Sequence, residues 1–241
     1  MKLSKTILVS FMPSLGMATV GLDWSFRSAP SSGLDDVTFG FNLVNAPHKS
    51  GFYFAQQFYF ANIKNGSYAG LQPREDSNGQ ATLHAAFSSF EGGTTTGHAN
   101  CHYGADGGQG VSCAVEFQAD YSHTYEVVVQ NEGGATWKGS VVDTATGKSF
   151  VIGEWTLPSG AGKMKASSVG FVEYYRWNDG KKNHVCSSLP RTEVTFKNPT
   201  SRTSGTSGGS ISNIHEYGEC VGTDGFSYSQ SGSGWVVKVG S

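Results

Sequence analysis

The chain has 241 residues, 33 of them Gly, and 17 Lys and Arg against 19 Asp and Glu leave a formal net charge of −2. Charged residues are 15% and aromatic residues 12% of the chain, where an average soluble domain is roughly a quarter charged. This excludes a basic nucleic-acid binder that works by counterion release, a helical bundle rich in Ala, Glu, Lys and Leu, and a chain disordered throughout, since 15 Phe, 10 Tyr and 5 Trp can fill a core.

The elements begin with a leader. Met1 to Lys5 is a short positive segment, Thr6 to Leu22 carries no charge, small residues at Gly16 and Ala18 and again at Ala18 to Gly21 offer cut sites, and Asp23 closes the run. This is the layout of a secretory signal peptide, assigned here to residues 1–21, and no later apolar stretch is long enough to span a bilayer. The mature chain, residues 22–241, is therefore expected to be secreted, extracellular, monomeric and without a membrane partner.

Strands follow almost throughout, predicted over residues 37–44, 52–60, 67–72, 82–90, 111–117, 121–130, 136–143, 149–157, 168–177, 192–197 and 234–239. Asn65-Gly66, Asn78-Gly79, Thr146-Gly147 and Asp179-Gly180 punctuate them. No segment keeps a 3.6-residue apolar stripe. Short alternating strands over a domain of roughly 220 residues predict a single antiparallel β-sandwich or jelly roll. Residues 200–212, TSRTSGTSGGSIS, read as a flexible Gly/Ser/Thr surface loop. Asn65-Gly66-Ser67 is a glycosylation sequon.

Four Cys allow three connectivities. Cys101–Cys113 and Cys186–Cys220 are favoured because short loops cost least to close, and secretion favours oxidation over a zinc site. The loop CHYGADGGQGVSC could hold Ca²⁺ through Asp106 and backbone carbonyls, although a disulfide-stapled turn accounts for it as it stands; no other metal is expected.

Alternation sorts the side chains onto two faces. In 52–60 the Phe row, with Gln56, belongs to the core. Tyr53, Ala55, Gln57 and Tyr59 fall on the other side. Tyr68, Gly70, Gln72 and Arg74 share one side of the next strand, His84, Ala86 and Ser88 of the one after, and Glu173, Tyr175 and Trp177 of 168–177. A face carrying Tyr53, Gln57, Gln72, Arg74, Glu173 and Trp177 suits a polysaccharide or glycan, because rings pack on the C–H side of a pyranose while amides and guanidinium bond its hydroxyls. A solvated sheet face carries the same residue types through β propensity. The enzyme alternative is a lyase of uronate polymers. Gln57, Gln72 or Arg74 would offset the carboxylate, His84 would act as base, and Tyr59 or Tyr175 as acid. Hydrolysis by paired carboxylates has only Glu173 mid-strand among polar and aromatic neighbours, and no GxSxG elbow offers a serine nucleophile. A non-catalytic secreted interaction protein is the third class.

The ordered segments GSYAGLQPR (66–74), LHAAFSSF (83–90), GADGGQGVSC (104–113) and GFVEYY (170–175) resemble a family of secreted proteins carrying a domain of unknown function. The resemblance covers roughly residues 50–180. It implies a concanavalin-like sandwich with Gln72 and Gln109 at family positions, and it brings no catalytic residue. Pro190-Arg191-Thr192-Glu193-Val194 also looks like the Arg-Ser/Thr-Glu-Leu strand of alginate-lyase-type jelly rolls, but late in the chain and without that family's other motifs.

Overall fold

The computed structural model describes residues 18–181, 184–222 and 225–241. Its strands, in chain order, are β1 Ala18–Ser28, β2 Asp36–Asn42, β3 Phe52–Phe58, β4 Ser67–Ser77, β5 Gln80–Ser89, β6 Cys101–Tyr103, β7 Val111–Gln118, β8 Thr124–Gly133, β9 Thr136–Asp143, β10 Ser149–Thr156, β11 Ser167–Tyr174, β12 Thr192–Lys197, β13 Ser207–Glu216, β14 Ser227–Ser231 and β15 Gly234–Val239. They form two antiparallel sheets. The first runs β13-β1-β11-β3-β4-β5-β7-β6 and the second β10-β9-β8-β2-β12-β15-β14. The fold is an all-β sandwich, as the alternation predicts.

One face of each sheet makes the core. Trp24, Phe39, Phe52, Phe54, Phe58, Phe60, Phe87, Trp137, Trp155 and Phe196 are all fully enclosed there. The Phe row of β3 lies in this core, while Tyr53 and Ala55 belong to a separate small cluster on the outer face of the first sheet, with Ala86 and Phe171. Two-residue periodicity alone makes this separation.

Both favoured disulfides are present, Cys101–Cys113 and Cys186–Cys220. The first joins directly opposed residues of β6 and β7. Gly153 of β10 leaves room for it: a Cβ there would stand 2.5 Å from the Cys101 sulfur.

Two boundaries differ from the sequence reading. The leader was assigned to residues 1–21; residues 1–17 lie outside the described residues, but Ala18 to Gly21 are the first part of β1, paired with β11 and β13. Val20, Leu22 and Trp24 of this strand are buried. An uncharged apolar run looks the same at the end of a leader as in a strand buried between two neighbours. Residues 200–212, expected as a flexible loop, are tied down instead. Thr200 bridges to Thr38, the buried Asp36 carboxylate accepts from Ser201 Oγ, the Arg202 amide and Thr203 Oγ1, and β13 begins at Ser207. Hydroxyls and backbone hold this segment, so it shows no apolar signal. Gly209 lies so close to the Pro199 carbonyl that a Cβ would come within 1.8 Å of its oxygen.

Candidate functional site

Strand register lines up the outer face of the first sheet into rows. Glu173 of β11 is opposite Tyr53 of β3. One step beyond the Phe54–Leu71 pair, Tyr53 comes level with Gln72 of β4, which pairs with His84 of β5, which pairs with Glu116 of β7. Glu173, Tyr53, Gln72, His84 and Glu116 therefore cross the sheet in one line. Two residues along, the next row is Phe171, Ala55, Gly70, Ala86 and Ala114. From Ala55 onward this row is made of small residues, a strip about 14 Å across four strands at ordinary strand spacing. Tyr53, Tyr68 and Phe171 pack over its Ala55 end, and it opens toward half-buried Ala114. Gly70 belongs there, since a Cβ would stand 2.0 Å from the Phe54 carbonyl oxygen.

At the covered end, two carboxyl groups, half-buried Glu173 and exposed Asp106, stand beside aromatic rings. Tyr53 meets Tyr68 edge-on at 5.2 Å and Phe171 at 5.6 Å. Asp106, at the tip of the disulfide-closed loop and with φ of 47°, accepts from the Tyr68 hydroxyl at 3.1 Å. Glu173 accepts from the Asn178 amide at 2.9 Å. Burial raises the pKa of Glu173, and the Asp106 charge raises it further against the pull of Asn178. Burial raises Asp106 too, opposed by the Tyr68 hydrogen bond. The phenols of Tyr53, Tyr68 and Tyr217 are also pushed up, first by burial and then by these carboxylates or by one another. The Tyr53 hydroxyl is enclosed and has no hydrogen-bond partner among the described residues, which is costly for a buried polar group.

Further along the polar row stands a second cluster. Arg74 donates from Nε to Glu116 at 3.1 Å, from one terminal nitrogen to Gln72 Oε1 at 2.8 Å, and from the other to the Tyr175 hydroxyl at 3.2 Å. His84 Nδ1 is 3.2 Å from the same Glu116 oxygen. Burial and the Arg74 charge lower the His84 pKa, outweighing Glu116, which favours the neutral imidazole. Burial would raise Glu116, but its hydrogen bonds from Arg74 and His84 hold it low.

The structure thus brings Tyr53, Gln57, Gln72, Arg74, His84 and Glu173 to one sheet face, with Tyr175 reaching it from beyond the end of β11. Two candidates are elsewhere. Trp177 is in a short 3-10 turn at Tyr175–Trp177, where strand alternation no longer applies, and its ring packs on Tyr174 and His184 beside the main core. Tyr59 is one residue past β3, against Gly66 and under Lys165. The end of β3 is level with Ser67, five residues from Gln72 and hence about 17 Å from the His84 row. Of the two expected acids, Tyr59 therefore stands away from His84, while Tyr175 reaches the Arg74 cluster that His84 shares. Arg191 precedes β12, which belongs to the other sheet. Asp106, the candidate Ca²⁺ ligand, accepts from Tyr68, and no group of three or more His, Cys, Asp or Glu suited to a metal occurs among the described residues. The sequence reading did not assign Asp106, Tyr217 and His215 to this face, because they come from a loop and from the region of β13.

No family model matches the sequence, and no curated protein matches it; the motif resemblance has no support there, although the sandwich it implied is present. Among solved structures, scytalido-glutamic peptidase bound to a peptide-based transition-state analogue superposes with a TM-score of 0.49 at 12% identity, covering 92% of this chain and 98% of that one. SCP-B, a member of the eqolisin family of peptidases in complex with the tripeptide Ala-Ile-His, gives 0.43 at 11% identity over the same shares. Tailspike protein 2 of bacteriophage CBA120 gives 0.29 at 10%, covering 88% of this chain and 30% of that one.

Proposed function

We propose that the outer face of the first sheet is the active site of a secreted hydrolase that works in acid on an extended polymer, with Glu173 as the proton-carrying group. The observation that carries this reading is the Tyr53 hydroxyl, buried with no hydrogen-bond partner among the described residues, beside the carboxyl groups of Glu173 and Asp106, whose pKa values the fold raises. Such an arrangement matches a site that holds a water or a reacting oxygen. Glu173, protonated, donates to the leaving atom as the scissile bond breaks. Asp106, held by Tyr68, takes the proton of the water whose oxygen forms the new bond. The small-residue strip gives the polymer a bed, and the Gln, Ser and Arg side chains on either side offer it hydrogen bonds.

The test is turnover at pH 4 and pH 7 with polysaccharide and unfolded-protein substrates, reading new reducing ends and new amino termini. Activity in acid that falls at least a hundredfold in Glu173→Gln supports the reading; acid activity that survives this change overturns it.

A second reading, β-elimination on a uronate polymer, is favoured by the Arg74 cluster. Arg74 would meet the uronate carboxylate, neutral His84 would take the C5 proton, and the Tyr175 hydroxyl would protonate the leaving oxygen. Absorbance near 235 nm reports its unsaturated product. Silence in both assays, with retardation on a polysaccharide affinity gel, would leave the carbohydrate-binding face expected from the sequence.

A further inference from the structure

Beside the carboxyl pair, β1, β3, β11 and β13 enclose a half-open cavity of about 240 Å³. Its floor is Gly21, whose register partners are Phe171 on one side and His215 on the other. A Cβ on Gly21 would stand 2.9 Å from the His215 ring and 3.2 Å from that of Tyr217, so these two rings wall the cavity. Phe171 and Val169 add apolar side chains to the lining. Tyr217 also ties the cavity to the carboxyl pair, since its phenol feels the Glu173 charge.

Among the polar atoms around this apolar body are acceptors without full partners. Gln57 Oε1 is buried and has no partner among the described residues. Asp23 lines the same space, accepting one hydrogen bond from the Asn213 amide at 3.1 Å and keeping further lone pairs. His215 Nδ1 is 2.7 Å from the Asn213 carbonyl oxygen; a carbonyl only accepts, so Nδ1 carries a proton and is not available to the cavity. The volume is below that of a site that encloses a whole drug-sized ligand, so a side group enters rather than a ring system.

We infer that this cavity receives an unbranched alkyl group tipped with an amine. The walls bury the methylenes, while Gln57 and Asp23 take the N–H groups. That the group belongs to the substrate rests on the hydrolase reading; the chemistry of the cavity does not.

The probe is butylammonium, followed at pH 7 by the backbone amide NMR signals of the full chain, with butyrate as the anion of matching length. Shifts concentrated at Gly21, Val169, Phe171 and Tyr217, saturable with butylammonium and absent with butyrate, are expected. Asp23→Asn and Gln57→Leu should each weaken the affinity about tenfold, and Val169→Phe, which fills the space, should abolish the shifts while leaving the rest of the spectrum in place. Equal binding of butyrate, or no butylammonium shifts at these amides in the wild-type protein, would overturn the inference. Glu173→Gln should bind the probe as the wild type does, so a failed hydrolase reading would show as absent turnover with probe binding intact.

Discussion

Glu173 and Tyr53 each make a stability prediction that separates a functional site from a merely packed one. For Glu173 the pKa is raised in the fold by burial and by Asp106. Between the unfolded value, about 4.3, and the raised folded value, the native state binds more protons than the unfolded chain. Stability is therefore fully present below the unfolded value and is lost as pH rises through the folded one. Glu173→Gln removes this loss, so its melting temperature relative to wild type should be higher at pH 7 than at pH 4, by about 2–4 °C for each kcal/mol released. Equal differences at both pH values would mean that Glu173 ionises freely. Tyr53→Phe removes a buried hydroxyl that has no partner among the described residues, which should raise stability by about 1–3 kcal/mol, while acid hydrolysis falls at least tenfold. A destabilised Tyr53→Phe would show that the hydroxyl is already satisfied within the protein.

At the scale of elements, the most consequential connection is made by Asp36. Its buried carboxylate gathers donors from Ser201, Arg202 and Thr203, and the chain from there enters β13, which walls the cavity through His215. Asp36→Ala leaves those donors unpaired and should cost about 1.5–3 kcal/mol. The cost should show as early amide exchange in β13 with slow exchange kept in β3 and β4; uniform loss across both sheets would contradict this local role. The same elements explain what could be read from the sequence. Strands β3, β4, β5 and β11 alternate apolar and polar residues, so their two faces, and with them Gln57, Gln72, Arg74, His84 and Glu173, were legible. The edge strands show little periodicity: β13 is Ser- and Gly-rich and sends Ile211 and Ile214 into the core, while β14, Ser227–Ser231, is exposed and held by backbone pairing. Strand β1, buried among neighbours, carries the uncharged run of a leader. Register across the sheet was not legible either. No property of His84 or Tyr53 alone says that they stand in one row, and Asp106 reaches Tyr68 only because its loop folds back over the face.

For the whole molecule, the two disulfides differ in what they close. Cys186–Cys220 spans 34 residues and Cys101–Cys113 spans 12. Loop-closure entropy in the unfolded chain assigns them about 4 and about 3 kcal/mol respectively, a small gap for the melting temperature to resolve. Their positions differ more. The longer bridge joins the segment before β12 to the turn after β13 and does not close the loop that carries Asp106. The shorter one fixes β6 to β7 and closes the loop that carries Asp106 to Tyr68. Replacing Cys186 and Cys220 together by Ser should therefore lower the melting temperature, by about 2–4 °C per kcal/mol lost, and leave turnover per folded molecule nearly unchanged. Replacing Cys101 and Cys113 together by Ser should lower it by no more than that, yet reduce acid turnover severalfold, because a freed loop no longer holds Asp106 against the sheet. Measuring melting and turnover on both pairs distinguishes the two roles. If the Cys101–Cys113 pair proves as dispensable for turnover as the other, Asp106 is not a working partner of Glu173, and the acid chemistry must be sought with Glu173 alone.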